Sequence, residues 1–82
     1  MKTLRNGYKL VLNHEGLENG IVLAMRDDSK KEFVTWITVD NNLDNTAHGN
    51  YYQSYDEAFE DYIYRIKNSY DAFGDRFLKG VK

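Results

Sequence analysis

The sequence predicts one α+β domain in which an antiparallel sheet of three to four strands packs against one long C-terminal helix (βββα or ββββα). Apolar segments between residues 8 and 39 are separated by polar turns, which is typical of short antiparallel strands. An amphipathic stretch with a capping serine then begins at Ser54. The chain has 82 residues, a length that fits one small hydrophobic core. We therefore treat residues 1–82 as a single domain.

Three segments predict strands before the middle of the chain. Tyr8, Leu10 and Leu12 alternate with other residues, and this period of two predicts the first strand. The apolar run 21–25, bounded by turn-forming and charged residues, predicts the second strand. Residues 32–39 are rich in β-branched and aromatic side chains and predict the third. A short polar connection between the second and third strands suits antiparallel neighbours.

Residues 40–50 consist mostly of short polar side chains, which predicts a loop. Residues 51–53 can add a short fourth strand at the sheet edge. Within the loop, Asp40, Asn42 and Asp44 stand at the spacing of the first ligands in a helix-flanked calcium loop. That loop also requires a central glycine and a final glutamate, which this segment lacks. The pattern therefore favours a β-turn rich in aspartate and asparagine, in which carboxylates cap backbone N–H groups, and we expect no metal site.

The C-terminal helix is predicted to begin at Ser54, whose hydroxyl and the Glu57 carboxylate can cap each other's backbone N–H groups. Gly74 is expected to end it, about 30 Å further along. Asp61 and Arg65, four residues apart, are expected to form a surface ion pair worth about 0.3 kcal/mol. The predicted core stripe consists of Ala58, Phe59, Tyr62, Ile63, Ile66, Tyr70 and Phe73.

Composition gives no support to an enzyme, a cofactor site or a membrane protein. The chain has no cysteine, which excludes thiolate metal sites and cysteine nucleophiles and indicates an intracellular protein. His14 and His48 are isolated and lack a partnered nucleophile. No secretory signal and no apolar run long enough to span a bilayer is found. We expect a non-enzymatic cytoplasmic protein. The enzymatic alternative is general acid/base chemistry by the clustered carboxylates, which would require a concave pocket with two carboxylates of separated pKa values.

Charge is unevenly distributed along the chain. The formal net charge is −2, but residues 40–61 contain six acidic and no basic residues. Such a block repels phosphate and attracts basic surfaces. Tyr64 should lie beside it on the face of the helix away from the core, and exposed tyrosine is typical of protein contacts. The predicted partner-binding residues are Asp40, Asp44, Asp56, Glu57, Glu60, Asp61 and Tyr64.

Two non-enzymatic alternatives also remain open. One is a homodimeric structural or regulatory module joined through the third strand, the edge of the fourth strand, or the apolar tail residues Phe77, Leu78 and Val81. The other is a weak nucleic-acid-binding module with Trp36 as a base-stacking platform. Its basic side chains would be Lys9, Arg26, Lys30 and Lys31.

Residues 32–66 also resemble small proteins carried by phages and mobile elements of Gram-positive bacteria. The similarity lies in the strand motif at 33–36, the segment Gly49-Asn50-Tyr51-Tyr52, and the helix start 54–62 with Arg65. Small acidic proteins of this origin include anti-CRISPR and other anti-defence inhibitors. The resemblance implies an inhibitor that binds a host protein, such as a CRISPR effector nuclease, in the bacterial cytoplasm. It implies no particular site residue.

Overall fold

The fold is a four-stranded antiparallel sheet with one helix on one face. The computed structural model describes residues 2–4, 6–26, 28 and 31–68. The strands are arranged in sequence order, and each pairs antiparallel with the next. This confirms the predicted ββββα architecture. The elements are β1 (Lys9–His14), β2 (Gly20–Arg26), β3 (Glu32–Thr38), a 3₁₀ turn (Val39–Asn41), β4 (Thr46–Tyr52) and α1 (Tyr55–Asn68).

The fourth strand is longer than predicted and begins inside the segment expected to be a loop. Thr35 pairs with Asn50 and Ile37 pairs with Ala47, so two residues of β4 lie opposite Trp36. This β-bulge tolerates turn-forming residues within a strand. A side chain at one of them, Gly49, would lie only 2.6 Å from the Trp36 indole nitrogen. The prediction of a loop through residue 50 was wrong because pairing with β3 outweighs local turn preference.

A second bulge changes which residues of β1 share a face. Leu10 pairs with Ala24, whereas Leu12 pairs with Leu23, which leaves Val11 as the extra residue. Leu10 therefore packs on one side of the sheet, and Val11 and Leu12 pack on the other. The regular alternation predicted for this strand is interrupted, since a single inserted residue reverses the faces of those that follow.

The sheet has an apolar cluster on each face. The helix-side cluster contains Ile21, Leu23, Ile37, Ala58 and Tyr62. The opposite cluster contains Leu4, Val22, Ala24, Val34 and Trp36. The buried strands β2 and β3 therefore supply apolar side chains to both faces. Because β3 pairs with β2 and with β4, the third strand is interior, and the predicted dimer contact through it is wrong.

The segment before β1 closes the second cluster. The Leu10 backbone N–H donates to the Lys2 carbonyl at 2.8 Å, and the Leu4 N–H donates to the Tyr8 carbonyl at 2.7 Å. Thr3 forms an isolated β-bridge with Lys9. These bonds fold the chain start against β1 and bury Leu4, so residues 2–4 take part in the sheet edge.

The helix begins as predicted, and four of the five described residues of the predicted core stripe, Ala58, Tyr62, Ile63 and Ile66, form or pack against the helix-side cluster. The Glu57 N–H donates to the Ser54 hydroxyl at 3.2 Å, which confirms the N-cap. Ala58, Tyr62 and Arg65 are buried, whereas Phe59 is 37% exposed. The prediction of Phe59 as a core residue was wrong, because the buried face is centred nearer to Ala58 and Tyr62. The predictions for Tyr70, Phe73, Gly74, Phe77, Leu78 and Val81 fall outside the described residues.

Replacing Tyr62 by alanine should destabilise the protein by about 3 kcal/mol, because the change leaves a cavity in the helix-side cluster. Phe59→Ala should lower the free energy of unfolding by only about 1 kcal/mol, since that ring is partly solvated already. Urea denaturation of both variants measures the two values. A larger loss for Phe59→Ala than for Tyr62→Ala would contradict the observed orientation of α1.

Candidate partner-binding surface

An open depression of about 480 Å³ lies between the end of β4 and the outer side of α1. Four of the seven residues predicted to bind a partner line it, together with one that was not predicted. The lining residues are Tyr52, Glu57, Glu60, Asp61 and Tyr64. Two phenol rings and three carboxylates thus share one concave surface.

Local structure explains why these side chains meet. Residues three and four apart lie on the same side of a helix, so Glu57, Glu60 or Asp61, and Tyr64 follow one another along α1. Tyr52 is the last residue of β4. Because only two residues separate β4 from α1, the strand end lies beside the first turn of the helix. The Ser54 cap fixes that turn through the Glu57 N–H.

The Asp61 carboxylate connects α1 to two strands. Its Oδ2 accepts hydrogen bonds from the Thr35 hydroxyl at 2.6 Å and from the Asn50 amide at 3.1 Å. The same oxygen lies 3.5 Å from the Arg65 Nε. The two charged side chains are only 15% and 4% exposed. The predicted Asp61–Arg65 pair therefore exists, but the expectation that it lies on the surface was wrong.

Asp56, Glu57 and Glu60 differ from Asp61, because all three are exposed. In the described part of the chain, neither the Arg26–Asp28 nor the Arg65–Asp61 ion pair involves these three carboxylates. Within that part of the chain, the three exposed carboxylates therefore have no basic partner. Tyr64 is 58% exposed and lies at the rim of the same depression. This side of the helix is a negatively charged surface with an accessible aromatic ring.

The negative charge also affects the phenol at the end of β4. Burial raises the pKa of Tyr52 above its usual value, and the negative charge of Asp61 raises this pKa further. The positive charge of Arg65 acts in the opposite direction and is a smaller influence.

Asp40 and Asp44 lie elsewhere in the fold. They follow the C-terminal end of β3, whereas α1 starts near the other end, where the Phe33 and Tyr55 rings are 5.9 Å apart. A strand of seven residues spans about 20 Å. Neither aspartate lines the depression, so the structure divides the predicted acidic set into two groups.

The segment around Asp40 is held by amide side chains. Asn19 accepts a hydrogen bond from the Asp40 N–H at 2.8 Å, and Asn42 accepts one from the Asp44 N–H at 2.9 Å. Among the described residues, no group of three or more histidine, cysteine, aspartate or glutamate residues could hold a metal ion. In both hydrogen bonds the acceptor is an amide oxygen, whereas the prediction named carboxylates as the capping groups.

The nucleic-acid alternative loses its stacking platform. Trp36 is only 6% exposed and belongs to the cluster opposite the helix, where Tyr8 packs edge-on against it with ring centres 5.1 Å apart. Arg26 is ion-paired with Asp28 at 2.6 Å. A buried indole and a paired guanidinium do not supply the accessible stacking ring and free basic group that such a module requires. The predicted Lys30 lies outside the described residues.

The predicted partner-binding set did not include Tyr52, Tyr55 or Phe59. Tyr55 and Phe59 are exposed and stacked, with ring centres 5.7 Å apart. Their spacing of four residues is a helical pair that could have been recognised. Whether such a pair faces the core depends on the rotation of the helix, which the packing of Ala58 and Tyr62 and the hydrogen bonds of Asp61 set together.

Comparison with protein-family models, curated proteins and solved structures finds no match for this chain. In the part of the chain that the structure describes, no helix is long and apolar enough to cross a membrane. A functional hypothesis for this protein therefore depends on the contacts and charges of its own residues.

Asp61→Asn should lower the free energy of unfolding by about 3 kcal/mol, because Arg65 stays buried without its carboxylate partner. Glu60→Gln is the matched control, since it removes a neighbouring exposed charge and should change stability by less than about 0.5 kcal/mol. Chemical denaturation near neutral pH measures both. Equal effects of the two substitutions would show that Asp61 does not anchor the helix.

Stability should fall above about pH 10, where unfolded tyrosine ionises, partly because of Tyr52. Because the pKa of Tyr52 is higher in the folded than in the unfolded protein, Tyr52 makes its full contribution to the free energy of unfolding below the unfolded pKa. This contribution is lost as pH rises through the folded pKa. Tyr52→Phe should therefore show a shallower decline in unfolding free energy between about pH 9 and 11.5. Identical slopes for the two proteins would contradict this linkage.

Proposed function

We propose that the protein is a non-enzymatic binding protein that docks the acidic, tyrosine-bearing side of α1 on a basic surface of another protein. The observation that supports this most directly is the pair Glu57 and Glu60, exposed beside Tyr64. Neither carboxylate is ion-paired within the described residues. Complementary charge would steer the partner, and the tyrosine ring would supply contact area at low entropy cost.

Rigidity of the helix supports the same proposal. Asp61 bonds to Thr35 and Asn50, so α1 is held against β3 and β4 before any partner arrives. A surface that is already ordered loses less conformational entropy on binding. Asp61 itself would act mainly as a positioning residue beneath the contact, while Asp56, Glu57, Glu60 and Tyr64 would meet the partner.

The partner class that we propose is a host defence nuclease, such as a CRISPR effector, in the bacterial cytoplasm. This narrower proposal depends on the resemblance of residues 32–66 to phage and mobile-element proteins. RNA-guided nucleases hold their nucleic acid in a positively charged channel. A surface that presents Glu57, Glu60 and Tyr64 has the charge required to occupy part of such a channel. Inhibition would then need neither a cofactor nor a catalytic residue.

A homodimer is the second candidate, and one observation favours it. In the described part of the chain β4 is an edge strand, and its residues, Thr46–Tyr52, include no aspartate, glutamate, lysine, arginine or proline. Charged residues and proline are common protections against pairing between sheet edges. A stable dimer that persists at high salt in analytical ultracentrifugation would favour this candidate over the acidic docking surface.

The proposed inhibitor is tested by measuring cleavage of target DNA by a panel of purified RNA-guided nucleases with and without the protein. The variant Glu57→Lys/Glu60→Lys should weaken binding and inhibition at least about tenfold, mainly through a slower association rate. Binding of the native protein should also weaken as salt rises from about 0.05 to 0.5 M.

The matched control is Glu15→Lys/Glu18→Lys, which changes net charge equally at exposed positions outside the depression. It should retain most of the binding. Equal losses for the two double variants would mean that overall charge, and not this surface, governs binding. If none of the nucleases is bound or inhibited, the proposed partner class is wrong.

A further inference from the structure

A row of aromatic rings runs along the flank of α1 away from the depression. Tyr55 is 40% and Phe59 is 37% exposed, and their rings are stacked with centres 5.7 Å apart. Phe59 in turn stacks on the buried Tyr62 at 6.3 Å. Phe33 meets Tyr55 edge-on from the sheet. The two exposed rings, which we call the aromatic row, therefore rest on a packed base.

Carboxylates run beside the aromatic row. Asp56 follows Tyr55 and Glu60 follows Phe59, so each acid is rotated about 100° around the helix from its ring. Both carboxylates are exposed. Beyond Glu60, on the far side of the helix, lies the depression with Tyr64. The outer surface of α1 is thus amphipathic, because apolar rings border a strip of negative charge.

We propose that the aromatic row is the apolar half of the docking surface and that it binds a partner segment in which an apolar side chain is flanked by lysine or arginine. This inference depends on the proposed function, because it names the chemistry of the partner at the same helix. The apolar side chain would lie on the Tyr55 and Phe59 rings. The basic side chains would reach Asp56 and Glu60.

Charge complementarity selects this occupant over a second copy of the chain. A second copy would present the same carboxylates, and Lys67 is the exposed basic residue that the described part of α1 provides. Self-pairing would therefore leave more negative than positive groups at the contact. A basic segment would neutralise Asp56 and Glu60 without placing like charges together.

The aromatic row also requires more than a purely polar partner. Contact with an apolar side chain would remove the two rings from water, which is favourable in proportion to the area buried. Aromatic anchors surrounded by polar groups are typical of the residues that dominate binding energy at interfaces. An arginine-rich surface without an apolar residue would not gain the binding free energy that comes from burying the two rings.

Two synthetic helical peptides serve as probes. One places leucine and arginine on adjacent faces, and the other has glutamine at every leucine position and the same number of arginines. Titrations followed by NMR at about 0.15 M salt should show that the native protein binds the leucine peptide at least about tenfold more tightly.

Phe59→Ala and Tyr55→Ala should reduce this preference to about threefold or less, while affinity for the glutamine peptide stays unchanged. Phe59→Tyr should retain it. Leu17→Ala is the matched control, because it removes an exposed apolar side chain outside α1 and should leave the preference intact. Circular dichroism checks that each variant is folded. If Phe59→Ala does not fold, Tyr55→Ala tests the proposal by itself.

The possible failures are distinct. If both peptides bind equally well, or if Phe59→Ala and Tyr55→Ala keep the preference, the aromatic row is not the apolar contact, although the acidic surface stands. If neither peptide binds, the proposed function fails as well. A dimer in solution that Phe59→Ala dissociates would make a second copy the occupant and overturn the inference.

Discussion

One carboxylate oxygen fixes the position of α1 on the sheet. Asp61 Oδ2 accepts hydrogen bonds from β3 and β4 and faces the buried guanidinium of Arg65. These directional contacts supplement the apolar packing of Ala58 and Tyr62. The rotation that results decides which residues of α1 meet the solvent. The acidic surface and the aromatic row are both consequences of it.

The fold could be predicted from the sequence because local and global preferences agree over most of the chain. The β-branched and aromatic run at 32–39 and the Ser54 cap each specify one kind of structure. Agreement is lost at the two bulges. At Val11 and at Gly49, long-range pairing between strands overrides the alternation or the turn preference of the local residues. Such pairing depends on partners far along the chain, which a local pattern does not contain.

The candidate surface could be predicted in part for a similar reason. Helical spacing was enough to group Glu57, Glu60 and Tyr64, and the structure brings them together with Tyr52. The spacing was insufficient for Asp61 and Phe59, whose environments depend on the side of the helix that contacts the sheet. Asp40 and Asp44 are close to the other acids in sequence but follow the opposite end of β3. Closeness in sequence does not predict closeness in space when an antiparallel strand lies between the residues.

The location of Trp36 gives the protein a built-in spectroscopic reporter. It is the single tryptophan and lies in the apolar layer on the side of the sheet away from α1. Its fluorescence emission therefore reports on that layer, whereas far-ultraviolet ellipticity near 222 nm is dominated by the helix. Melting curves recorded with the two signals can reveal whether the two sides of this small sheet lose their order together or in succession.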